Sequence, residues 1–153
     1  MKINLLLTGK TEGDIILSGV KLYQNRLTRY ADFAITEISV LKNTANLSEK
    51  EIKRKEAELI LKKISDKDFV ILLDEKGKEY TSVEFSTFLN KQNKPITFIV
   101  GGAYGFDEAI YNRANGMVSL SKMTFTHQMI RLIFVEQLYR AMTILNGEPY
   151  HHS

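Results

Sequence analysis

The sequence predicts an α/β domain over residues 1–153, with a mostly parallel sheet flanked by helices on both faces. Three observations carry this. Strand-like and helix-like stretches alternate from one end of the chain to the other. Two short apolar runs, Phe69 to Leu73 and Ile96 to Val100, read as central strands buried on both sides. The second runs straight into paired glycines, and ligands of such sheets sit beyond the carboxyl ends of the strands.

The elements follow in order. Lys2 to Leu7 is a short buried strand, closed by a turn at Thr8-Gly9-Lys10. Asp14 to Arg29 places Ile15, Ile16, Val20, Tyr23 and Leu27 at helical spacing. Ala34 to Val40 alternates β-branched and polar residues and reads as a strand. Lys42 to Leu47 is a polar loop. Ser48, followed three residues later by Glu51, is a capping box that opens a helix with the stripe Ile52, Leu59, Ile60 and Ile64. Its lysines interleave with Glu49, Glu51, Glu56 and Glu58, the pattern of a solvated, salt-bridged face. After the Phe69–Leu73 strand, Asp74 to Lys78 reads as a connection. Thr81 or Ser82 caps a helix running to about Asn90. The Ile96 strand, a short helix from Phe106 to Arg113 and a short strand from Met117 to Leu120 come next. A long helix from His127 to Leu145 closes the chain, stopped by Asn146-Gly147 and Pro149.

Composition narrows the class. The 153 residues carry 44% hydrophobic and 25% charged residues, the balance of an ordinary globular protein. No apolar run approaches the roughly 20 residues of a membrane span, and the first residues read as a strand rather than a leader, so a cytoplasmic protein is expected. Without cysteine there is no disulfide framework, no thiolate metal site and no thiol nucleophile. No His/Asp/Glu set has recognisable ligand spacing, so no metal is expected. Neither a nucleophile elbow nor a Walker loop occurs, and the first βα turn, holding only Gly9, lacks the dinucleotide fingerprint. A net charge of +3 is mildly basic, too small to establish a nucleic-acid partner alone.

Three loops stand out at strand ends: Leu73-Asp74, Val100 to Gly105 and Leu120 to His127. They are positioned to converge on one pocket. Gly101-Gly102-Ala103-Tyr104-Gly105 lets backbone approach a ligand, although a tight turn that happens to use glycine remains the alternative. Ser119 to Thr126 interleaves hydroxyls with Leu120, Met123 and Phe125, a loop able to wrap an adenine ring, with Thr126 as cap of the last helix. His127 with Arg131, and Glu136 with Arg140, are spaced i, i+4. A structural ion pair is the plain reading of the arginines. The closing helix is apolar around most of its circumference, which suggests burial on two sides and a homodimer. In the tail, Tyr150 and His151 offer groups that stack on bases and bond their edges, with fraying as the alternative.

Taken together, residues 73–78 (Leu-Asp-Glu-Lys-Gly-Lys), 98–106 (Phe-Ile-Val-Gly-Gly-Ala-Tyr-Gly-Phe), 119–131 (Ser-Leu-Ser-Lys-Met-Thr-Phe-Thr-His-Gln-Met-Ile-Arg), 136–141 (Glu-Gln-Leu-Tyr-Arg-Ala) and 149–151 (Pro-Tyr-His) occur in one order. In that combination the chain resembles, nearly end to end, the SPOUT-class methyltransferases that act on N3 of a pseudouridine in bacterial large-subunit ribosomal RNA. Phe106 stands where leucine is commoner, and Thr126 replaces a frequent proline. The resemblance implies a C-terminal trefoil knot, which pattern reasoning alone would not predict. It also implies S-adenosyl-methionine as methyl donor, a homodimer and a ribosomal RNA substrate. It assigns Leu73, Gly102, Ser121, Lys122, Met123, Thr124, Phe125 and Thr126 to the cofactor. His127, Arg131, Arg140, Tyr150 and His151 form the pool for catalysis and RNA contact. A charge of +3 per chain, +6 in a dimer, is modest for an RNA enzyme, so the expected substrate is RNA within an assembled ribosome. The alternatives are a SPOUT methyltransferase acting on another RNA such as tRNA, and a non-catalytic ribosome-assembly factor.

Overall fold

A computed structural model describes residues 1–152, so Ser153 of the expected domain lies outside the described residues. The strands are β1 (Lys2–Thr8), β2 (Asp32–Ile38), β3 (Phe69–Glu79), β4 (Ile96–Val100) and β5 (Gly116–Ser119). The helices are α1 (Asp14–Leu27), α2 (Glu49–Leu61), α3 (Ser82–Asn90), α4 (Glu108–Arg113) and α5 (Met129–Leu145). The strands form one five-stranded sheet in the order β2-β1-β4-β3-β5, with every pairing parallel. The α/β class and the parallel sheet covered on both faces are as expected.

The two central apolar runs split by alternation. Ile71 and Leu73 of β3 and Phe98 and Val100 of β4 face one core, which Ile16 and Val20 of α1, Phe85 and Leu89 of α3, and Phe134, Leu138 and Met142 of α5 complete. Val70 and Leu72 of β3 and Ile99 of β4 face the opposite core, closed by Ala57 and Ile60 of α2 and Ile110 of α4. Successive residues of a strand point to opposite faces, so a strand buried on both must be apolar throughout.

Helix α5 lies between α1 and α3. Gly19 of α1 makes that crossing close: a Cβ there would meet Leu132 Cδ1 at 2.6 Å. The apolar circumference of α5 is therefore largely used inside one chain, against two helices and the sheet. It does not by itself require a second subunit.

Several boundaries differ from expectation for local reasons. The hydroxyl of Thr126 accepts the amide hydrogen of Met129 at 3.1 Å and so caps the entry turn, while His127 and Gln128 form a turn and the regular helix α5 begins at Met129. Asp107 caps α4 through the amide of Ala109 at 3.0 Å, which releases Phe106 to be buried beside Gly101. The box expected at Ser48 is half formed, since Ser48 accepts from the amide of Glu51 while the Glu51 carboxylate takes the Ser48 hydroxyl instead of its amide. Thr81, expected as a cap, forms the full box with Glu84.

The largest departure is in β3, which continues to Glu79 instead of ending at Leu73. Leu73 pairs with Val118 of β5, and so does Lys78. Residues 74–77 thus form a bulge that leaves and rejoins the same ladder position. Gly77 permits it. The segment expected to be a simple connection is a projecting flap at the carboxyl edge of the sheet.

Candidate functional site

The three strand-end loops do converge. Together with Lys53 of α2 and Tyr111 of α4, residues 73–76, 100–106 and 118–121, then 123–127 and Ile130, enclose a cleft of about 700 Å³. That volume is in the range of small-molecule sites. Of the expected cofactor residues, Leu73, Gly102, Ser121, Met123, Thr124, Phe125 and Thr126 line it; Lys122 is exposed outside the lining. His127 lines it as well.

Each wall is held by its own short-range bonds. In the third loop, the Ser119 hydroxyl donates to the carbonyl of Ser121 at 2.8 Å, and the Ser121 hydroxyl accepts the amide of Met123 at 2.9 Å. These side-chain bonds replace regular structure and turn the chain back over the strand ends. The apolar side chain of Met123, 77% exposed, stands at the mouth. In the glycine loop, Gly105 at φ 80° donates its amide to the carbonyl of Gly102 at 3.2 Å, a turn that an L side chain at 105 would strain.

The flap at 74–77 forms the remaining wall. Asp74 accepts the amide of Lys76 at 2.8 Å and the Tyr111 hydroxyl at 2.6 Å. Burial, and then the bond to Asp74, push the Tyr111 phenol up to about 12. Glu75 accepts the hydroxyl of Thr124 at 3.2 Å, joining the flap to the loop opposite. Asp74 belongs to a loop expected at the pocket, whereas Glu75, Lys76 and Tyr111 are site residues that sequence reasoning misses. The glycine at 77, inside a run of charges, was the available signal.

Behind the glycine loop lies Glu56 of α2. A Cβ at position 102 would stand 2.8 Å from Glu56 Oε2. Burial raises this carboxyl above its ordinary range.

The expected catalytic pool does not gather in one place. Arg131 is 1% exposed and turned inward. Its guanidinium donates to the carbonyls of Thr8, Gly9 and His127 and to the Thr11 hydroxyl, at 2.9 to 3.1 Å. Burial lowers its affinity for a proton, with Glu37 and Glu12 opposing. In this position Arg131 ties the end of β1 to the start of α5 and reaches no ligand in the cleft.

Arg140, Tyr150 and His151 form a separate cluster on the outer side of α5. Arg140 pairs with Glu136 and lies over the Tyr150 ring, 4.9 Å from its centroid. The bond to Glu136 chiefly raises the Arg140 proton affinity. Tyr150 donates to Glu136 at 3.0 Å and shares a 3.3 Å contact with the Tyr23 hydroxyl. Burial, then these two bonds, hold its phenol far above the ordinary tyrosine range. Arg140 Nη1 lies 3.2 Å from His151 Nδ1. Arginine only donates, so Nδ1 accepts and the ring hydrogen sits on Nε2. Glu148 accepts the Tyr30 hydroxyl at 2.6 Å, and Tyr139 packs edge-on against Tyr150. The tail is docked rather than frayed.

None of these three residues lines the cleft. Ile130, at the cleft, and Arg140 are ten residues apart on one helix, a rise of about 15 Å.

A family model described as "Predicted SPOUT methyltransferase" matches residues 1–151. A protein of Parabacteroides distasonis named "Ribosomal RNA large subunit methyltransferase H" is 56% identical over 99% of both chains. Proteins of the same name from Phocaeicola vulgatus and Flavobacterium johnsoniae are 52% and 51% identical, again over 99% of each chain.

Proposed function

The chain belongs to the SPOUT methyltransferase family, and from that membership we propose that it methylates N3 of a pseudouridine in large-subunit ribosomal RNA, using S-adenosyl-methionine. The observation that carries the reading is the cleft: three loops of the family's motif segments close on one cavity. SPOUT proteins are known for a knot in this C-terminal segment, and residues 1–153 act on this reading as one domain.

The cavity fits a nucleoside. Gly101 and Gly102 leave backbone bare on one wall, while Met123 and Phe125 supply apolar faces on another. S-adenosyl-methionine supplies a methyl group on a sulfonium, which transfers in line to a nucleophile. The protein's main task is to hold donor and acceptor in register, where gains of about 7–11 kcal/mol are available.

The acceptor nitrogen must lose its proton. Tyr150 is a poor candidate for taking it, because its phenol is held protonated by burial, then by its bonds to Tyr23 and Glu136. His151 keeps its Nε2 hydrogen as a donor while Arg140 occupies Nδ1. Arg140 and His151 therefore suit the carbonyl oxygens flanking N3, where charge develops as the proton leaves. His127, at the cleft itself, is the imidazole placed to accept the proton.

We propose a homodimer in which the tail of one subunit meets the cleft of the other. The support is the separation within one chain of about 15 Å between the cleft and Arg140. Ile15 and Leu22, seven residues apart on α1, and Met129 at the start of α5 are large apolar side chains left 81%, 47% and 42% exposed, which a partner would cover. The modest net charge of +3 favours RNA already shaped within the ribosome.

Mass-spectrometric mapping of large-subunit RNA from cells with and without this protein tests the assignment. Loss of one N3-methylated pseudouridine is expected on deletion. An unchanged modification map would overturn the reading.

A further inference from the structure

We propose that Glu56 of α2 is a further cofactor-binding residue, whose carboxylate accepts hydrogen bonds from the two vicinal ribose hydroxyls of the nucleoside methyl donor; this rests on the function proposed above. The geometry starts from Gly102. A Cβ at that position would lie 2.8 Å from Oε2, 3.1 Å from Oε1 and 3.3 Å from the carboxyl carbon of Glu56. The carboxylate therefore faces the loop with both oxygens forward, and only a residue without a side chain leaves that approach open. Lys53, one turn earlier on the same helix, already lines the cleft. Glu56 itself stands just behind the glycine loop, next to that lining.

Glu56 differs from the other carboxylates of the site. Asp74 is satisfied by Tyr111 and the Lys76 amide, and Glu75 by Thr124. Among the described residues, no hydrogen bond or opposing charge offsets the desolvation of Glu56. Beside the glycine loop and one helical turn from Lys53 of the cleft wall, a half-buried acceptor without a protein donor is placed to take one that arrives with the ligand. An ionised carboxylate accepts through two neighbouring oxygens, which matches two neighbouring hydroxyls. The ammonium of the methionine moiety, a single cation, suits instead the charges of Asp74 and Glu75 on the flap, the first half-buried and the second exposed.

Calorimetry with the full chain tests this, using S-adenosyl-homocysteine, methylthioadenosine (ribose intact, no amino acid) and 2′-deoxy-methylthioadenosine. Glu56→Ala is expected to weaken the first two ligands about tenfold or more, with Glu56→Gln between it and the unaltered protein. Removing the 2′-hydroxyl should weaken binding to the unaltered protein but cost nothing further in Glu56→Ala. Thermal midpoints of the empty variants should hold or rise. Affinities within about twofold of the unaltered protein, or weakening confined to the amino-acid-bearing ligand, would overturn the ribose assignment. So would a fall in midpoint for both variants, which would mark Glu56 as a support of the fold. If the unaltered protein takes up none of the ligands, the proposed function itself fails, and the assignment of Glu56 with it.

Discussion

A Cβ on Gly77 would stand 2.6 Å from the backbone nitrogen of Val118, and within 2.7 Å of two further backbone carbons. No rotamer relieves such a contact, because the obstacle is the chain of β5 itself. The flap that carries Asp74, Glu75 and Lys76 into the cleft rejoins the sheet at this crossing.

Gly77→Ala should therefore either separate β5 from β3 or unseat the flap, costing about 1–3 kcal/mol or more. Gly116→Ala is the control, since nothing lies within 4 Å of a Cβ there. Denaturant titration should show a large loss for the first and little change for the second. Equal behaviour of the two would contradict the crossing.

How much of this was readable beforehand differs by feature. The alternation of elements, the two central strands, the caps at Ser48 and Thr81 and the convergence of three loops follow from local pattern, and each is found. The flap does not follow from local pattern. Whether Asp74 to Gly77 bulges or turns depends on Val118, forty residues away, pairing twice with β3. The inward turn of Arg131 has the same cause: three of its four partners, Thr8, Gly9 and Thr11, lie at the other end of the sequence. Spacing placed His127 and Arg131 on one face but had no means of showing that the guanidinium points into the protein. Glu56 was hidden among the alternating charges of α2, where it resembles any solvated residue.

Arg131 should behave as a fold residue. Arg131→Ala leaves three carbonyls and a hydroxyl without their donor in a site 1% exposed. At about 1–3 kcal/mol per stranded group, a loss of about 3 kcal/mol or more is expected. Urea denaturation measures it. A variant of unaltered stability that binds cofactor but fails to transfer methyl would instead return Arg131 to the chemistry.

The split between cleft and tail predicts complementation. A Tyr150→Ala/His151→Ala chain and a Gly102→Val chain should each be inactive alone. If tail and cleft of different subunits form one site, mixed dimers contain one intact site, and equal mixing should restore about a quarter of full activity. No recovery after verified subunit exchange would place both parts in a single chain.

The pair Tyr111–Asp74 gives the protein a dependence on alkaline pH. The phenol titrates at its ordinary 10.0 when unfolded and at about 12 when folded. Between those values the unfolded chain releases a proton that the folded chain keeps, so stability falls as pH rises from 10 to 12. Below pH 10 the contribution is complete. Tyr111 is 37% exposed, so solvent screening keeps the slope shallow. Tyr111→Phe should lack this part of the slope in denaturation measured across the window, and an identical slope would refute the pairing.

Glu56 predicts the opposite kind of residue, one whose removal helps the empty protein. Its carboxyl is shifted upward from 4.5 by burial alone, so the folded state prefers the protonated form. Below the ordinary value both states hold the proton and the group costs nothing through its charge. As pH rises through the folded value, the unfolded chain has already ionised at no cost while the folded chain must ionise a half-buried group. Stability is lost over that interval and the loss persists at neutral pH. Glu56→Gln keeps the shape and removes the charge, so it should be the more stable protein at pH 7 without ligand. The difference should close as pH falls below 4.5. Denaturation of both proteins across that range decides the matter, and a Gln variant no more stable than the parent at neutral pH would mean that Glu56 has found a partner of its own.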